Sequence, residues 1–203
     1  METVKETLEE KIRRVLKDEI AIEDYNPDWP AWFKKEKDYL RACLPGDLLG
    51  RIEHFGSTAV PGLAAKPVVD MLVEVVCLER TRREVPPILE AQGYDYFWRP
   101  TRGDDGPPFY AWFIKRDAIG KRSHHIHMVE PGFPHWDRLV FRDYLIHHPK
   151  IAAAYGRLKC RLANRFADDR IAYTEGKSRF IRRITERATR HYRQGQRANP
   201  TWD

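Results

Sequence analysis

The sequence has few cysteines and no long apolar run, and each absence excludes a class of protein. Cys43, Cys77 and Cys160 are isolated and odd in number, which excludes a CxxC pair and argues against a disulfide framework. No stretch approaches the ~18 consecutive apolar residues of a membrane-spanning helix. The first residues carry acids and lack the apolar segment of a secretory signal. The sequence therefore predicts a protein of the reducing cytoplasm that has no membrane partner.

Basic residues outnumber acidic residues by 36 to 30, which gives a formal net charge of +6 at pH 7. This excess favours anionic ligands, from nucleotides to RNA, without choosing between them. Five arginines could form an RNA-facing surface on the last predicted helix: Arg179, Arg182, Arg183, Arg187 and Arg190. Apart from Phe180, no aromatic residue is interleaved with them for base stacking, so a solvated helix face is the better interpretation. Nucleic acid is a possible partner that the sequence does not favour.

The order of the predicted elements indicates the α+β class, with a mixed β-sheet core, flanking helices and a helical C-terminal segment. Residues 1–18 form an N-terminal helical appendage, residues 19–192 a single domain that becomes helical from 134, and residues 193–203 a flexible tail. Predicted strands cover 49–55, the run after Lys66, 94–98, 109–115 and 123–129. Predicted helices cover 3–17, 28–44, 79–92, 151–167 and 173–192. In the third predicted helix, Pro86 and Pro87 mark the expected true start.

A stretch of small residues joins the first two predicted strands and is the centre of the functional interpretation. Gly56, Ser57 and Thr58 offer consecutive backbone N–H groups and two hydroxyls without bulky side chains, a composition suited to cradling phosphate. Lys66 adds a mobile cation. Asp70 lies among apolar strand residues, where a carboxylate is costly unless a metal ion or a hydrogen-bond donor meets it. That cost indicates a functional role for Asp70.

Two histidines on a later strand extend this interpretation to a metal. Residues two apart share one face of a strand, so His125 and His127 point together and could bind one ion. If their strand lies beside that of Asp70, the three side chains form a site with one carboxylate and two imidazoles. Such ligands favour Mn²⁺ or Zn²⁺ over Mg²⁺, although the sequence leaves the divalent metal undetermined. The alternative is a pair of exposed or hydrogen-bonded histidines at a sheet edge.

Two tyrosine–lysine pairs occur at helical spacing in the C-terminal part. Tyr155 and Lys159 lie four residues apart, as do Tyr173 and Lys177, so each pair shares a helix face. Each pair could direct a hydroxyl and an ammonium group toward one phosphate-bearing ligand. The alternative is that the tyrosines belong to the core and the lysines are solvated.

The string GSTAVPGLAAKPVVD, residues 56–70, resembles the hallmark of the GrpB family, which is itself similar to the nucleotidyltransferase superfamily. The segment YNPDWP, the His-x-His pattern and the helical pairs also match the family pattern, so the resemblance spans about residues 20–188. It implies a nucleotidyltransferase-like sheet and the catalytic residues Asp70, Lys66 and Ser57. It implies nucleotide contacts from the following residues: Gly56, Ser57, Thr58, Lys66, Tyr155, Lys159, Tyr173 and Lys177. One departure is Leu72, which stands where the superfamily has a second acid.

The resemblance implies transfer of a nucleotidyl group from a nucleoside triphosphate to an unidentified small acceptor, with a divalent metal and Asp70 at the reacting phosphate. Two alternatives stay open. The same residues could support a metal-dependent phosphoesterase, which uses water as the nucleophile. The chain could also be a non-catalytic nucleotide-binding or accessory domain, because GrpB-like domains occur fused to dephospho-coenzyme A kinase. The acceptor, the nucleotide preference and the oligomeric state are not encoded in any motif of the sequence.

Overall fold

The computed structural model describes residues 7–16, 20–101 and 106–198 and shows a five-stranded sheet with helices on both faces. The strands form where β-branched and aromatic residues are dense, as in the VDMLVEV run of the second strand. The strands are β1 Leu49–Phe55, β2 Val69–Val75, β3 Asp95–Pro100, β4 Phe109–Arg116 and β5 Arg122–Val129. The helices are α1 Leu8–Leu16, α2 Trp29–Cys43, α3 Leu78–Glu90, α4 Asp137–His147, α5 Pro149–Arg165 and α6 Arg170–Ala198. The predicted α+β class with a mixed sheet is confirmed.

The strand order β1-β2-β5-β4-β3 places the two strands with candidate site residues at the centre of the sheet. β2 and β5 are parallel, whereas the other neighbouring strands are antiparallel. The parallel register aligns Asp70 with His125 and Leu72 with His127. The histidine strand therefore lies beside that of Asp70, which is the condition for these three side chains to lie on one face.

The alternation of side chains gives the sheet two different faces. We call the face with Phe55, Asp70, His125 and His127 the cavity face, and the opposite face the helix face. The helices α2 and α3 cover the helix face. Glu36 of α2 contacts Tyr94 and Lys115, which fixes α2 on the sheet. Arg82 of α3 lies over the Trp98 ring, which fixes α3. The helices α1 and α4 lie on the cavity face, together with α5 and α6, which contact α4.

The N-terminal helix packs directly against the sheet. Arg14 of α1 forms an ion pair with Asp95 at 2.7 Å, and Lys11 pairs with Glu90 at 2.8 Å. Arg122 of β5 donates a hydrogen bond to the carbonyl of Val15. Residues 1–6, 17 and 18 of the predicted appendage lie outside the described residues. The described part is docked on the cavity face and does not stand apart from it.

The helix α3 begins at Leu78 and runs through Pro86 and Pro87, so the predicted start at the prolines is wrong. The carboxylate of Glu130 accepts a hydrogen bond from the Leu78 N–H at 2.8 Å, and the sulfur of Cys77 accepts one from the Arg80 N–H. Because Glu130 follows β5, 52 residues later in the chain, the cap that fixes this helix start is tertiary.

The last helix is longer than predicted. α4 and α5 are separated at His148, and α6 begins at Arg170 and continues to Ala198, beyond the predicted end at 192. The predicted flexible tail from 193 is therefore helical up to 198, and residues 199–203 lie outside the described residues. Within the described ranges, none of the helices combines the length and the apolar character needed to cross a bilayer.

Candidate functional site

A cavity of about 470 Å³ lies between the cavity face of the sheet and the helices α4, α5 and α6. This volume is in the range of small-molecule sites in proteins. The cavity is lined by every site residue predicted from the sequence: Gly56, Ser57, Thr58, Lys66, Asp70, His125, His127, Tyr155, Lys159, Tyr173 and Lys177. The fold thus brings together residues that lie more than one hundred positions apart in the chain.

Gly56 is required at the edge of this cavity for two reasons. Its φ of +74° lies in the left-handed region, and a Cβ at this position would be 2.3 Å from Oδ2 of Asp70. A side chain would therefore be strained by its backbone and would also collide with the carboxylate. The loop that begins at Gly56 closes over Asp70 because this residue has no side chain.

A chain of hydrogen bonds holds Asp70 from the opposite side. Nδ1 of His125 lies 3.1 Å from Oδ1 of Asp70, and Nε2 of the same ring lies 3.3 Å from Nη1 of Arg122. Arginine can only donate, so Nε2 accepts and Nδ1 carries the proton that is donated to Asp70. Arg122 also donates to the carbonyl of Val15 in α1. The N-terminal helix is thereby connected to the cavity carboxylate through two side chains.

Asp70 is ionised and His125 is neutral at neutral pH. Burial lowers the pKa of His125 to about 4, and the hydrogen bond to Asp70 opposes that change. For Asp70, burial would raise the pKa, but the hydrogen bond from His125 and the charges of Lys66 and Arg138 outweigh it and leave the pKa below its ordinary value. The contact between the two residues is a hydrogen bond from a neutral imidazole to a carboxylate.

Three lysines with lowered pKa values surround the carboxylate. Burial, assisted by neighbouring positive charges, lowers the pKa of Lys66 and Lys159 to about 7 and that of Lys177 to about 8. Nζ of Lys177 lies 4.2 Å from the ring centre of Tyr173, and that of Lys66 lies 5.3 Å from the same ring. Lys159 donates to the carbonyl of Ala64 and therefore also anchors the loop before Lys66. The cavity holds more positive than negative charge.

The hydroxyl groups of the site have different roles. The buried hydroxyl of Thr58 lies 2.9 Å from Nε2 of His54, so this side chain supports the loop. Ser57 and Tyr155 both line the cavity, and burial raises the pKa of the Tyr155 phenol. The ring of Tyr155 stacks on Phe180 with centroids 5.1 Å apart. Ser57 and Tyr155 are therefore the two hydroxyl-bearing residues that the loop and α5 contribute to the cavity lining beside Thr58.

The predicted metal site of Asp70, His125 and His127 is not assembled. Both ring nitrogens of His125 are engaged, and the centroids of the two imidazoles are 6.5 Å apart and nearly perpendicular. Nδ1 of His127 is buried without a partner, so this ring keeps a nitrogen for a ligand. In the part of the chain that the structure describes, no three His, Cys, Asp or Glu side chains are grouped to hold a metal ion.

No second acid stands next to Asp70 on its strand. Leu72 is fully buried at the position of the second superfamily acid, and Glu74 pairs with Arg51 at 3.0 Å. Asp137, at the start of α4, lines the cavity from the opposite wall. The carboxylates that line the cavity are therefore Asp70 and Asp137, which come from different elements.

The sequence analysis missed the contribution of α4. Arg138 lines the cavity, its Nη2 lies 3.1 Å from Nε2 of His135, and its guanidinium lies over the Phe55 ring at 5.6 Å. The sequence feature that could have predicted this contribution is the helical spacing of Arg138, Phe141 and Leu145, which places them on one face of α4. The α6 residues Thr174, Ser178, Ile181 and Thr185 also line the cavity and extend the face of Lys177.

Comparisons with known proteins agree with these observations. The sequence profile of the family described as "GrpB protein" matches residues 19–187, so α1 precedes the matched region. The UPF0157 protein YqkA of Bacillus subtilis is 36% identical over 184 residues, which cover 90% of this chain and 51% of YqkA. The glutamate-rich protein GrpB of Alkalihalophilus pseudofirmus is 33% identical over 171 residues, which cover 84% of this chain and 96% of that protein.

This chain thus spans about half the length of YqkA. The crystal structure of the conserved protein GrpB from Enterococcus faecalis superposes with a TM-score of 0.72 and 33% identity over 85% of this chain and 99% of that one. A weaker similarity, 28% identity over 195 residues, covers 87% of this chain and 47% of a dephospho-CoA kinase of Mycolicibacterium paratuberculosis. The profile match and the two GrpB relatives establish that the chain belongs to the GrpB family.

Proposed function

We propose that the chain binds a phosphate-bearing small molecule in the cavity, and that a nucleoside triphosphate is the form its family resemblance implies. The observation that carries this proposal is the charge of the lining: Lys66, Arg138, Lys159 and Lys177 stand against the carboxylates of Asp70 and Asp137. Buried ammonium groups without matching anions are costly, and a bound phosphate relieves that cost. The cavity therefore favours an anion over a cation.

The residues divide into binding and orienting groups. Lys66 and Lys177, which both lie over the Tyr173 ring, bind phosphate oxygens, and the hydroxyl of Ser57 donates a further hydrogen bond. His125 keeps Asp70 ionised and fixed in direction. A carboxylate repels a phosphate, so Asp70 acts on the second reactant, where it accepts a proton from an attacking hydroxyl or amine.

Nucleotidyl transfer is the catalytic form of this proposal. The acceptor oxygen or nitrogen attacks the α-phosphorus, the bond to the bridging oxygen breaks, pyrophosphate leaves, and Asp70 takes the acceptor proton. The position of Asp70 on the strand directly after the Gly-Ser loop favours this reaction. Within the described ranges no three His, Cys, Asp or Glu side chains are grouped to hold Mg²⁺, Mn²⁺ or Zn²⁺, so a divalent ion would enter with the phosphates of the ligand, and Asp70 would be available to it as a carboxylate ligand.

Two other functions use the same cavity. A phosphoesterase would use water in place of the organic acceptor. A non-catalytic role is favoured by the similarity to a dephospho-CoA kinase. The matched region makes up 47% of that kinase, so it is one part of a larger protein. In that case the domain binds its ligand without turnover and assists the activity of a larger protein.

Calorimetric titration with pyrophosphate and with ATP tests the binding proposal. Lys66→Met and Lys177→Met should each weaken binding about tenfold or more, because a hydrogen bond to a charged group contributes about 1.5–3 kcal/mol. Lys150→Met is the matched control, since Lys150 is an exposed residue of α5 outside the cavity. Equal affinities for the wild type and both cavity variants would refute the proposal.

Pyrophosphate release from ATP in a mixture of small acceptors, with each divalent metal in turn, separates the three functions. Release that needs an acceptor and is lost in Asp70→Asn supports transfer. Release without an acceptor supports the phosphoesterase. Binding without release under any metal supports the non-catalytic domain.

A further inference from the structure

The cavity extends well beyond the lysines that bind phosphate in the proposal above. One face of α6 lines it from Thr174 through Lys177 and Ile181 to Thr185. At 1.5 Å per residue, the eight residues from Lys177 to Thr185 correspond to about 12 Å along the helix axis. On α4, Phe141 lies three residues beyond Arg138, and the lining continues to Leu145. The cavity is therefore longer than a phosphate group.

The two ends of the cavity differ in chemistry. Lys66 and Lys177 both lie over the Tyr173 ring, and Lys159 donates to the carbonyl of Ala64 in the loop before Lys66, which places the three lysines together at one end. At the other end, Phe141, Leu145 and Ile181 belong to a separate apolar cluster between α4, α5 and α6. The uncharged hydroxyls of Ser178 and Thr185 flank Ile181 along the lining face of α6. Charge and apolar surface are thus segregated along the length of the cavity.

The backbone of this apolar end offers little to a polar ligand. Phe141 and Leu145 lie inside α4, and Ile181 lies inside α6, so their peptide groups are bonded within the helices. The Phe141 ring is nearly perpendicular to the Tyr155 ring with centroids 5.3 Å apart, and the Phe180 ring stacks on Tyr155. A charged or strongly hydrated group placed here would lose its water without gaining partners.

We infer that the ligand is an elongated anion, with its phosphate at Lys66 and Lys177 and an uncharged, largely apolar arm along Phe141, Leu145 and Ile181. This inference rests on the proposed function, because the phosphate end defines the direction of the ligand. A free phosphate leaves the apolar end filled with water, whereas an arm of up to about 12 Å displaces that water. The arm can be the nucleoside of a nucleotide or an alkyl chain, and both share this chemistry.

Calorimetric titration of the full chain with three kinds of probe tests the inference: inorganic phosphate, monoalkyl phosphates of two to six carbons, and adenosine monophosphate. Each buried methylene should increase the affinity about fourfold over phosphate until the apolar end is filled. In Ile181→Asn this gain should shrink, while the affinity for inorganic phosphate stays within about twofold of the wild type. Ile171→Asn is the matched control, because Ile171 is an α6 residue with 60% exposure outside the cavity.

The outcomes separate the inference from the proposed function. Phosphate binding without any gain from an arm overturns the inference alone. A gain that persists in Ile181→Asn overturns the assigned position of the arm. Failure of all probes to bind overturns the proposed function and the inference together. A gain with adenosine monophosphate that is lost in Ile181→Asn identifies the arm as a nucleoside, whereas a gain limited to the alkyl phosphates identifies an aliphatic ligand.

Discussion

Two acidic side chains on opposite faces of the sheet differ in how completely they are neutralised. On the helix face, Glu36 is 2% exposed, one oxygen accepts from the Tyr94 hydroxyl at 2.6 Å, and the other pairs with Lys115. On the cavity face, the side chain of Asp70 is 28% exposed and accepts one hydrogen bond, from His125. Glu36 has one cation for its one charge, whereas Asp70 stands among three lysines and Arg138.

The difference indicates which cluster is structural and which is functional. A buried acid with both oxygens bonded and its charge balanced needs no further partner, so Glu36 fixes α2 on the sheet. The Asp70 cluster has an excess of positive charge beside an open cavity, and its lysines hold pKa values well below 10.5. In the proposed function, a bound anion completes its charge balance. The predictions below test that assignment.

The largest expected effect is on stability, from breaking the Glu36 cluster. Glu36→Ala leaves Lys115 and the Tyr94 hydroxyl without their common partner, and we expect the free energy of unfolding to fall by about 3 kcal/mol. Lys115 is one-third exposed and can regain water, which keeps the loss at the low end for a buried pair. Phosphate affinity should stay unchanged. Urea unfolding and phosphate titration measure the two quantities.

If Glu36→Ala weakened phosphate binding while leaving the unfolding free energy unaltered, the two clusters would not be separate. Asp70→Asn provides the comparison from the other face. It removes a charge that is surrounded by cations, so its effect should fall on ligand binding and turnover more than on folding.

The next effect concerns the close approach of Gly56 to Asp70. Gly56 and Gly62 have nearly equal φ values of +74° and +73°, but a Cβ at Gly62 meets nothing within 4 Å. Gly62→Ala should therefore cost about 1 kcal/mol for the left-handed backbone alone, and Gly56→Ala about 2–3 kcal/mol, because its methyl group also meets the carboxylate. Chemical denaturation of both variants gives the difference.

Combining Gly56→Ala with Asp70→Ala isolates the collision. The extra cost of the alanine at 56 should shrink in this background, because the oxygen at 2.3 Å is removed. An equal cost with and without Asp70 would show that the backbone conformation alone requires glycine at this position.

The sequence indicated which side chains line the cavity, but it revealed few of the hydrogen bonds between them. The period of two along β5 placed His125 and His127 on one face, and the helical spacing of Tyr155, Lys159, Tyr173 and Lys177 placed them on faces that line the cavity. These predictions succeeded because each depends on local geometry. The metal site predicted from the same face stays a prediction, and in the structure the second nitrogen of His125 contacts Arg122.

The sequence could not reveal the contact between Arg122 and His125, for a physical reason. Residues 122 and 125 differ by an odd number, so regular alternation places them on opposite faces of a strand. The register between β4 and β5 is irregular at Lys115 and Arg116, next to the pairing of Arg122. Such an irregularity redirects a side chain, and its position depends on the partner strand. The cap of α3 by Glu130 was also hidden from the sequence, because its donor and acceptor lie 52 residues apart in the chain.

A smaller effect is expected from Arg122, which acts on Asp70 through His125. Arg122→Met removes the donor to Nε2, so the ring loses the bond that keeps its proton on Nδ1. We expect phosphate affinity to fall only severalfold, or about 1 kcal/mol, since the lysines remain. Nitrogen NMR of the His125 ring should show one tautomer in the wild type and a mixture in the variant.

Arg116→Met is the control, because Arg116 contacts Asp95 and not His125. A single tautomer in Arg122→Met would show that Asp70 alone orients the ring. If Arg116→Met changed the tautomer as much as Arg122→Met did, the effect would come from loosening of the strand rather than from the lost donor.

The smallest predicted effect is a proton taken up with the ligand. In the folded chain the pKa values of Lys66 and Lys159 are about 7 and that of Lys177 is about 8, whereas all three return toward 10.5 on unfolding. Between pH 8 and 10 the unfolded chain therefore binds more protons, and the stability contributed by these groups rises with pH.

A bound anion reverses this effect, because it favours the charged ammonium groups. At pH 8 binding should take up roughly one proton, and affinity should fall as pH rises further. Sulfate is the probe, since it does not titrate in this range, and its heats of binding are compared in two buffers of different ionisation enthalpy. Lys177→Met should reduce the uptake. Identical heats in both buffers would mean that the lysines are already charged in the empty cavity, which would contradict the lowered pKa values.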